Sequence, residues 1–155
     1  MTESLDSTDW AIINELQEDA RLSLTQLGKR VNLSASATTE RVRRLESIGV
    51  ITAYRAEVDL TKVGYPVLAV VRLKYPGNKH DPLHRLLAER REILECLRTT
   101  GDDCYTLKVA AASMPHLEEL VNELTDFGST TTNLVYSQTQ RFRGPQKPVT
   151  DPAGE

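Results

Sequence analysis

Six side chains between residues 34 and 44 have the chemistry that nucleic-acid binding needs. Guanidinium groups neutralise phosphates or pair with guanine, and hydroxyls donate hydrogen bonds to phosphates or bases. Residues 21–55 hold seven Lys or Arg and two Asp or Glu, a charge of +5 against −8 for the rest of the chain. This basic window is either a DNA footprint or a solvated helix face. The candidate DNA-binding residues are Ser34, Ser36, Thr39, Arg41, Arg43 and Arg44.

Other reactive side chains form weaker patterns. His80 and His84 lie four residues apart, but a zinc site needs three or four ligands, so we expect a solvated helix start and no metal. Cys96 and Cys104 are interpreted as free thiols in a reducing cytoplasm, with a close approach across neighbouring strands as the alternative. The sequence has no phosphate loop, nucleophile elbow or paired-histidine zinc helix, so we expect no catalytic residues, no cofactor and no enzyme.

The chain has 155 residues and a net charge of −3, which argues against indiscriminate nucleic-acid binding. It contains no apolar run of about 18 residues, the length that a membrane span requires. Its first ten residues are acidic and lack the apolar segment of a secretory signal. We therefore expect a cytoplasmic protein of one ordinary domain or two small ones.

The first part of the chain has the caps and periodicity of helices. Ser7 is expected to cap a helix over about residues 8–19. Ser23, followed by Gln26 three residues later, has the form of a capping box and predicts a second helix that ends near Val31. A helix pair of this kind is common in small α-helical domains.

A third helix is expected from Ser34 to about Ile48, with Asn32 left-handed in the preceding turn and Gly49 at the stop. A short helix, a turn and a longer helix with a basic outer face are typical of a helix-turn-helix, although a plain three-helix bundle has the same spacing. Residues 50–56 have strand-like composition and predict a β-wing. The residues expected to face inward on the third helix are Ala37, Val42, Leu45 and Ile48.

The second half of the chain predicts a βαββαβ order, which is the ferredoxin-like arrangement. Its first strand is apolar at successive positions, so side chains should be apolar on both faces of the sheet. Gly101-Asp102-Asp103 is expected to form the hairpin turn between the two middle strands. The expected elements are a strand over 67–75, a helix over 82–91, strands over 93–100 and 104–112, a helix from Pro115, and a strand over 130–140.

These segments together resemble the Lrp/AsnC family, the feast/famine transcription regulators, over about residues 5–140. The stretches TTGDDCYTLKV and TNLVYSQT resemble the C-terminal signature of the family. The N-terminal residues that match in order and spacing are Leu5-Asp6, Asp9, Ile13, Leu16, Arg21, Leu27, Leu33-Ser34, Arg41-Val42-Arg43-Arg44-Leu45-Glu46 and Gly49-Val50-Ile51.

The resemblance implies an α+β protein that regulates transcription by binding double-stranded DNA. It implies a homodimer or higher homo-oligomer, with a small amino-acid effector bound between the regulatory domains of neighbouring dimers. Carried over by position, the candidate effector-binding residues are Gly101, Asp102, Asp103, Cys104, Thr132, Asn133, Leu134 and Val135.

The expected domain organisation follows from the same resemblance. Residues 1–54 would form a winged helix-turn-helix and residues 55–65 a linker. Residues 66–142 would form the ferredoxin-like domain for effector binding and oligomerisation. Residues 143–155, rich in Pro and Gly, are expected to be a disordered tail.

One departure from the family bears on the effector, and two alternatives to the main interpretation stay open. The family turn commonly reads Gly-Asp-aromatic-Asp-aromatic, whereas Cys104 stands here at the second acid and Asp103 is displaced by one residue, which on a strand reverses the face. A regulator that organises DNA without an effector is therefore an alternative. Sirohaem decarboxylases share both domains of the family and are a second alternative, but none of the three histidines falls on the candidate pocket strands.

Overall fold

The computed structural model describes residues 4–78 and 80–148, which form two compact units. The first unit consists of the chain up to Ala56 together with the chain from Gln140 onward, and the second unit is Glu57–Thr139. Every helix in these ranges is too short or too polar to cross a lipid bilayer. The elements are α1 (Ser7–Glu18), α2 (Leu24–Arg30), α3 (Ala35–Ser47), β1 (Val67–Lys74), α4 (Asp81–Glu89), β2 (Ile93–Arg98), β3 (Tyr105–Ala111), α5 (Met114–Thr125) and β4 (Ser129–Leu134).

The N-terminal helices begin and end at residues with side chains or backbone angles suited to helix termini. Asp6 caps α1 instead of the predicted Ser7, because its Oδ1 accepts from the backbone N of Asp9 at 2.8 Å and forms a capping box. Ser23 and Gln26 form the predicted capping box of α2. Left-handed backbone at Asn32 (φ 56°) and Gly49 (φ 74°) confirms both predicted turns.

The core of the first unit lies between α1, α2 and α3. Thr38, which was not predicted to face inward, is fully buried and donates from Oγ1 to the carbonyl of Ser34 at 2.8 Å, whereas Ala37 is only half-buried. Gly28 lies opposite, and a Cβ at this position would lie 2.7 Å from Thr38 Oγ1. The buried apolar residues are Ile12, Ile13, Leu27, Val42 and Leu45.

The predicted β-wing is not formed within the described chain. Residues 50–56 run as an irregular segment without strand pairing. A strand requires a hydrogen-bonding partner strand, and the described part of this unit contains none. Tyr54 instead donates a hydrogen bond from its hydroxyl to Glu46 Oε1 at 2.9 Å, which ties this segment to α3.

The second unit has the predicted ferredoxin-like order. Its four strands form one antiparallel sheet in the order β2-β3-β1-β4. The last strand ends at Leu134 instead of continuing to residue 140. Leu134 is paired with Ala69 and Val135 N donates to the Leu68 carbonyl, but β1 begins at Val67, so it offers residues 136–140 almost no partner strand.

Helices α4 and α5 cover one face of this sheet. Alternate β1 residues Ala69, Val71 and Leu73 are buried in that core. Leu68 and Val70 point to the opposite face, which is termed the open face here, and are only half-buried. Apolar side chains therefore occur on both faces of the sheet, as predicted. The other buried members of the core are Leu83, Tyr105, Leu107, Val109, Ala111, Leu117, Leu120 and Leu124.

Candidate nucleic-acid interface and effector site

The outer surface of α3 presents one cation without an internal partner. Arg43 is exposed, and no hydrogen bond or ion pair holds its side chain within residues 4–78 and 80–148. Ser36 is also exposed, with its Oγ 3.1 Å from that of Ser34, the N-cap. Thr39 donates its hydroxyl to the carbonyl of Ala35 at 2.7 Å, so this donor is already used within the helix.

The other two arginines of α3 contact carboxylates of α1. Arg41 Nη1 lies 2.7 Å from Asp6 Oδ2 and 2.9 Å from Asp9 Oδ1. Arg44 Nη1 lies 3.2 Å from Asp9 Oδ2. The hydrogen bond from the Asp9 N–H and the Arg41 guanidinium together hold the pKa of Asp6 below its ordinary value. The same two carboxylates raise the pKa of Arg41.

Pairing with acids of α1 reduces the charge that the basic window presents. Arg30 also contacts an acid, with Nη1 2.7 Å from Glu15 Oε2. The sequence analysis did not include Asp6, Asp9 or Glu15 among the candidate site residues. Their arginine partners lie more than ten residues away along the chain, so no local pattern joins them. The cations of the window that form no ion pair within the described chain are Arg21, Lys29, Arg43 and Arg55.

A groove with a volume of about 250 Å³ lies beside α3. Apolar side chains of Leu16, Leu22 and Val42 line it, and Arg43 and Tyr54 form part of its rim. Burial, followed by the hydrogen bond to the Glu46 carboxylate, raises the pKa of Tyr54 to about 12. Tyr54 thus remains a neutral donor throughout the physiological range.

The glycine turn places its two acids on the open face of the sheet. Gly101 has φ 101°, a left-handed value that favours glycine. Asp102 Oδ2 lies 3.3 Å from Lys74 Nζ, and Asp103 Oδ2 lies 3.5 Å from Arg72 Nη1. Cys104 instead packs against the core and donates from Sγ to the carbonyl of Tyr75 at 3.6 Å.

The candidate residues of the last strand lie across β1 from this turn. Thr132 is paired with Val71, Asn133 with Val70 and Leu134 with Ala69. The turn leads into β3 at Tyr105, which is paired with Leu73 near the C-terminal end of β1. Thr132 and Leu134 alternate towards the helix-covered face, and Asn133 alternates towards the open face. The bond from Val135 N to the Leu68 carbonyl, 2.8 Å long, lies further still from the turn. The eight candidate effector residues thus form two separate groups.

His80 is the N-cap of α4 and His84 is exposed, so both lie at a helix start as expected, and both rings also contact β3. The Tyr105 hydroxyl lies 2.8 Å from His80 Nδ1 and 3.1 Å from His84 Nε2, so both rings are tied to β3. Residues 4–78 and 80–148 contain no group of three or more His, Cys, Asp or Glu side chains placed to hold a metal ion. Cys96 is paired with Leu107, whereas Cys104 follows the turn, and both thiols are free.

Comparison with known proteins matches both units. The model of the AsnC-type helix-turn-helix domain matches residues 5–46, and that of the Lrp/AsnC ligand binding domain matches residues 68–145. The HTH-type transcriptional regulator LrpC of Bacillus subtilis is 36% identical over 140 residues, which are 90% of this chain and 97% of that protein.

Solved structures agree in fold over nearly the whole chain. The structure of B. subtilis LrpC superposes with a TM-score of 0.85 and covers 88% of this chain and 98% of its own. A feast or famine regulatory protein from Mycobacterium tuberculosis, complexed with L-methionine, is 30% identical with a TM-score of 0.85, covering 92% and 99% of the two chains. A Neisseria meningitidis transcriptional regulator in complex with L-methionine is 26% identical, with a TM-score of 0.83 and coverage of 89% and 94%.

Proposed function

The chain belongs to the Lrp/AsnC family of HTH-type transcriptional regulators, and on this premise we propose that α3 binds a specific DNA sequence in the major groove. The observation that carries this proposal is Arg43, an exposed cation without an internal partner on the outer surface of α3. Of the six candidates, Arg43, Ser34 and Ser36 face the DNA in this proposal. Arg41, Arg44 and Thr39 already have hydrogen-bond partners within the unit and support α3 through them.

Arg43→Ala tests the DNA-binding proposal. We expect this variant to weaken binding to a duplex selected from a random pool by about 1–3 kcal/mol if Arg43 contacts a base, with relaxed specificity at one position. If Arg43 contacts a phosphate, binding should weaken uniformly across sequences. Fluorescence anisotropy against selected and scrambled duplexes measures both effects. Glu18→Gln, at an exposed position of α1, is a control with the same size of charge change. Wild-type affinity after replacement of Arg43 would contradict the proposal.

We further propose a small amino acid as effector at the Gly101 turn. Two structural relatives were solved with L-methionine. Here Asp102 and Asp103 lie beside Lys74 and Arg72 on the open face, so this surface offers both acceptors for an ammonium group and donors for a carboxylate. Because the last-strand residues lie away from the turn, the complete site needs the last strand of a second chain.

Calorimetry against the twenty amino acids tests the effector proposal. A binding amino acid should lose affinity in Asp102→Ala or Asp103→Ala and keep it in Asp126→Ala, which removes an exposed acid at the end of α5. Sizing with and without that amino acid should show a change of assembly, since a ligand shifts a population only by its differential affinity for the two states. No binding below millimolar concentration and no change of assembly would overturn this proposal and leave DNA binding untouched.

A further inference from the structure

The Asp6–Asp9–Arg41–Arg44 network links the beginning of α1 to the middle of α3. Asp9 is 2% exposed, and its two carboxylate oxygens are shared between Arg41 and Arg44. Its Oδ2 also accepts from the backbone N of Asp6 at 3.2 Å as part of the capping box. A single buried side chain thus completes a helix cap and binds two cations of the helix proposed to contact DNA.

From this network we infer that Asp9 is a positioning residue for DNA binding, an inference that rests on the proposed function. Its buried carboxylate holds Arg41 and Arg44 on the α1 side of α3, which orients α3 and withholds both cations from indiscriminate contact with phosphates.

Helix geometry separates the cations of α3 into two groups. Arg41 and Arg44 are three residues apart, so their side chains lie on the same side of the helix, where both reach Asp9. Arg43 points elsewhere and is exposed. The same basic run therefore supplies two cations that are paired with Asp9 and one that has no ion pair within the described chain.

The cost of an uncompensated buried carboxylate keeps the two arginines in place. Moving either guanidinium to a phosphate would leave Asp9 with fewer charge-assisted hydrogen bonds in a site that water scarcely reaches. A contact between the guanidinium and a solvent-exposed phosphate is screened by salt and contributes less favourable free energy. The two arginines therefore add little to the counterion release that makes DNA binding salt-dependent.

Asp9→Asn tests this inference through the salt dependence of DNA binding. With the Asp9 carboxylate removed, Arg44 loses its ion pair with Asp9 and Arg41 keeps only the one with Asp6, so both guanidinium groups are held less firmly. Each phosphate that they then neutralise steepens the plot of log affinity against log salt by about 0.9. We expect a slope steeper by about 1–2, and a lower ratio of specific to non-specific affinity. A purely structural role would reduce the active fraction on both duplexes equally and leave the slope unchanged. Glu18→Gln removes the same charge at an exposed position of α1 and should keep the wild-type slope.

A neutral version of the network provides the second variant if Asp9→Asn fails to fold. The triple replacement Asp9→Asn, Arg41→Gln and Arg44→Gln leaves amide groups that can hydrogen-bond one another in place of the charges. We expect it to keep the wild-type salt slope, because neither arginine neutralises a phosphate in the wild type. A slope shallower by about 1.8 would overturn the inference, as would an Asp9→Asn slope equal to that of Glu18→Gln. If the wild-type chain bound no duplex at all, the proposed function would fail instead.

Discussion

At the scale of single residues, the Tyr54 hydroxyl has a strongly shifted ionisation. Burial and the Glu46 carboxylate raise the pKa of Tyr54 from 10.0 to about 12. The protonated hydroxyl therefore contributes fully to the free energy of unfolding below pH 10, and this contribution is lost as the pH rises through about 12. Ultraviolet absorbance titrations are recorded for the wild type and for Tyr54→Phe, and the second curve is subtracted from the first. The difference should show one tyrosine ionising near pH 12. A difference step near pH 10 would contradict the contact between Tyr54 and Glu46.

Single residues could be predicted from the sequence where their partners are close along the chain. Ser23 and Gln26 are three residues apart, and Asn32 and Gly49 act through their own backbone angles, so local patterns were sufficient. Asp9 was matched only as part of the family signature. Its contacts with α3 span more than thirty residues and depend on how the helices pack, which no local pattern encodes.

At the scale of elements, the close approach of α2 and α3 depends on Gly28. In an exposed helix, Gly→Ala stabilises by about 1 kcal/mol. Here an added Cβ would lie 2.7 Å from Thr38 Oγ1 and 2.8 Å from the Leu33 carbonyl oxygen, and this carbonyl belongs to the backbone of the turn. We therefore expect Gly28→Ala to lower the free energy of unfolding by about 1–3 kcal/mol, as overpacking does.

Thermal or denaturant unfolding measures the effect of Gly28→Ala. Lys29→Ala, at the next and exposed position of α2, is the matched control and should change stability by less than about 0.5 kcal/mol. A Gly28→Ala variant more stable than the wild type would show that α2 and α3 can separate at no cost.

The order of elements was predictable, whereas the end of the last strand and the absence of a paired wing over residues 50–56 were not. Periodicity and turn residues indicated every helix and the four strands of the sheet. Composition alone extended the last strand to residue 140 and predicted a wing over 50–56, because it records the preference of a residue for strand and not the presence of a partner strand. The start of β1 after Pro66 sets where β4 ends.

At the scale of the whole molecule, we expect the open face of the sheet to pack against a second copy. Leu68 and Val70 are half-buried there, and Leu97 of the edge strand is 51% exposed. Val70→Lys should convert the assembly to a monomer of 17.3 kDa, because burying an unpaired ammonium costs more than the contact gains. Light scattering measures the mass. Asn122→Lys, on the exposed surface of α5, adds the same charge and should leave the oligomer intact.

The separation of the Gly101 turn from the last strand has a consequence for how this regulator would respond to nutrients. If one chain supplies the turn and another supplies the strand, the amino acid binds only to sites that assembly has created. Its apparent dissociation constant then falls as the concentration of the protein rises, because binding and association are linked by mass action. Sensitivity to the nutrient would be set by the number of copies that the cell makes. A change in expression would thus retune the regulator without any change in its sequence.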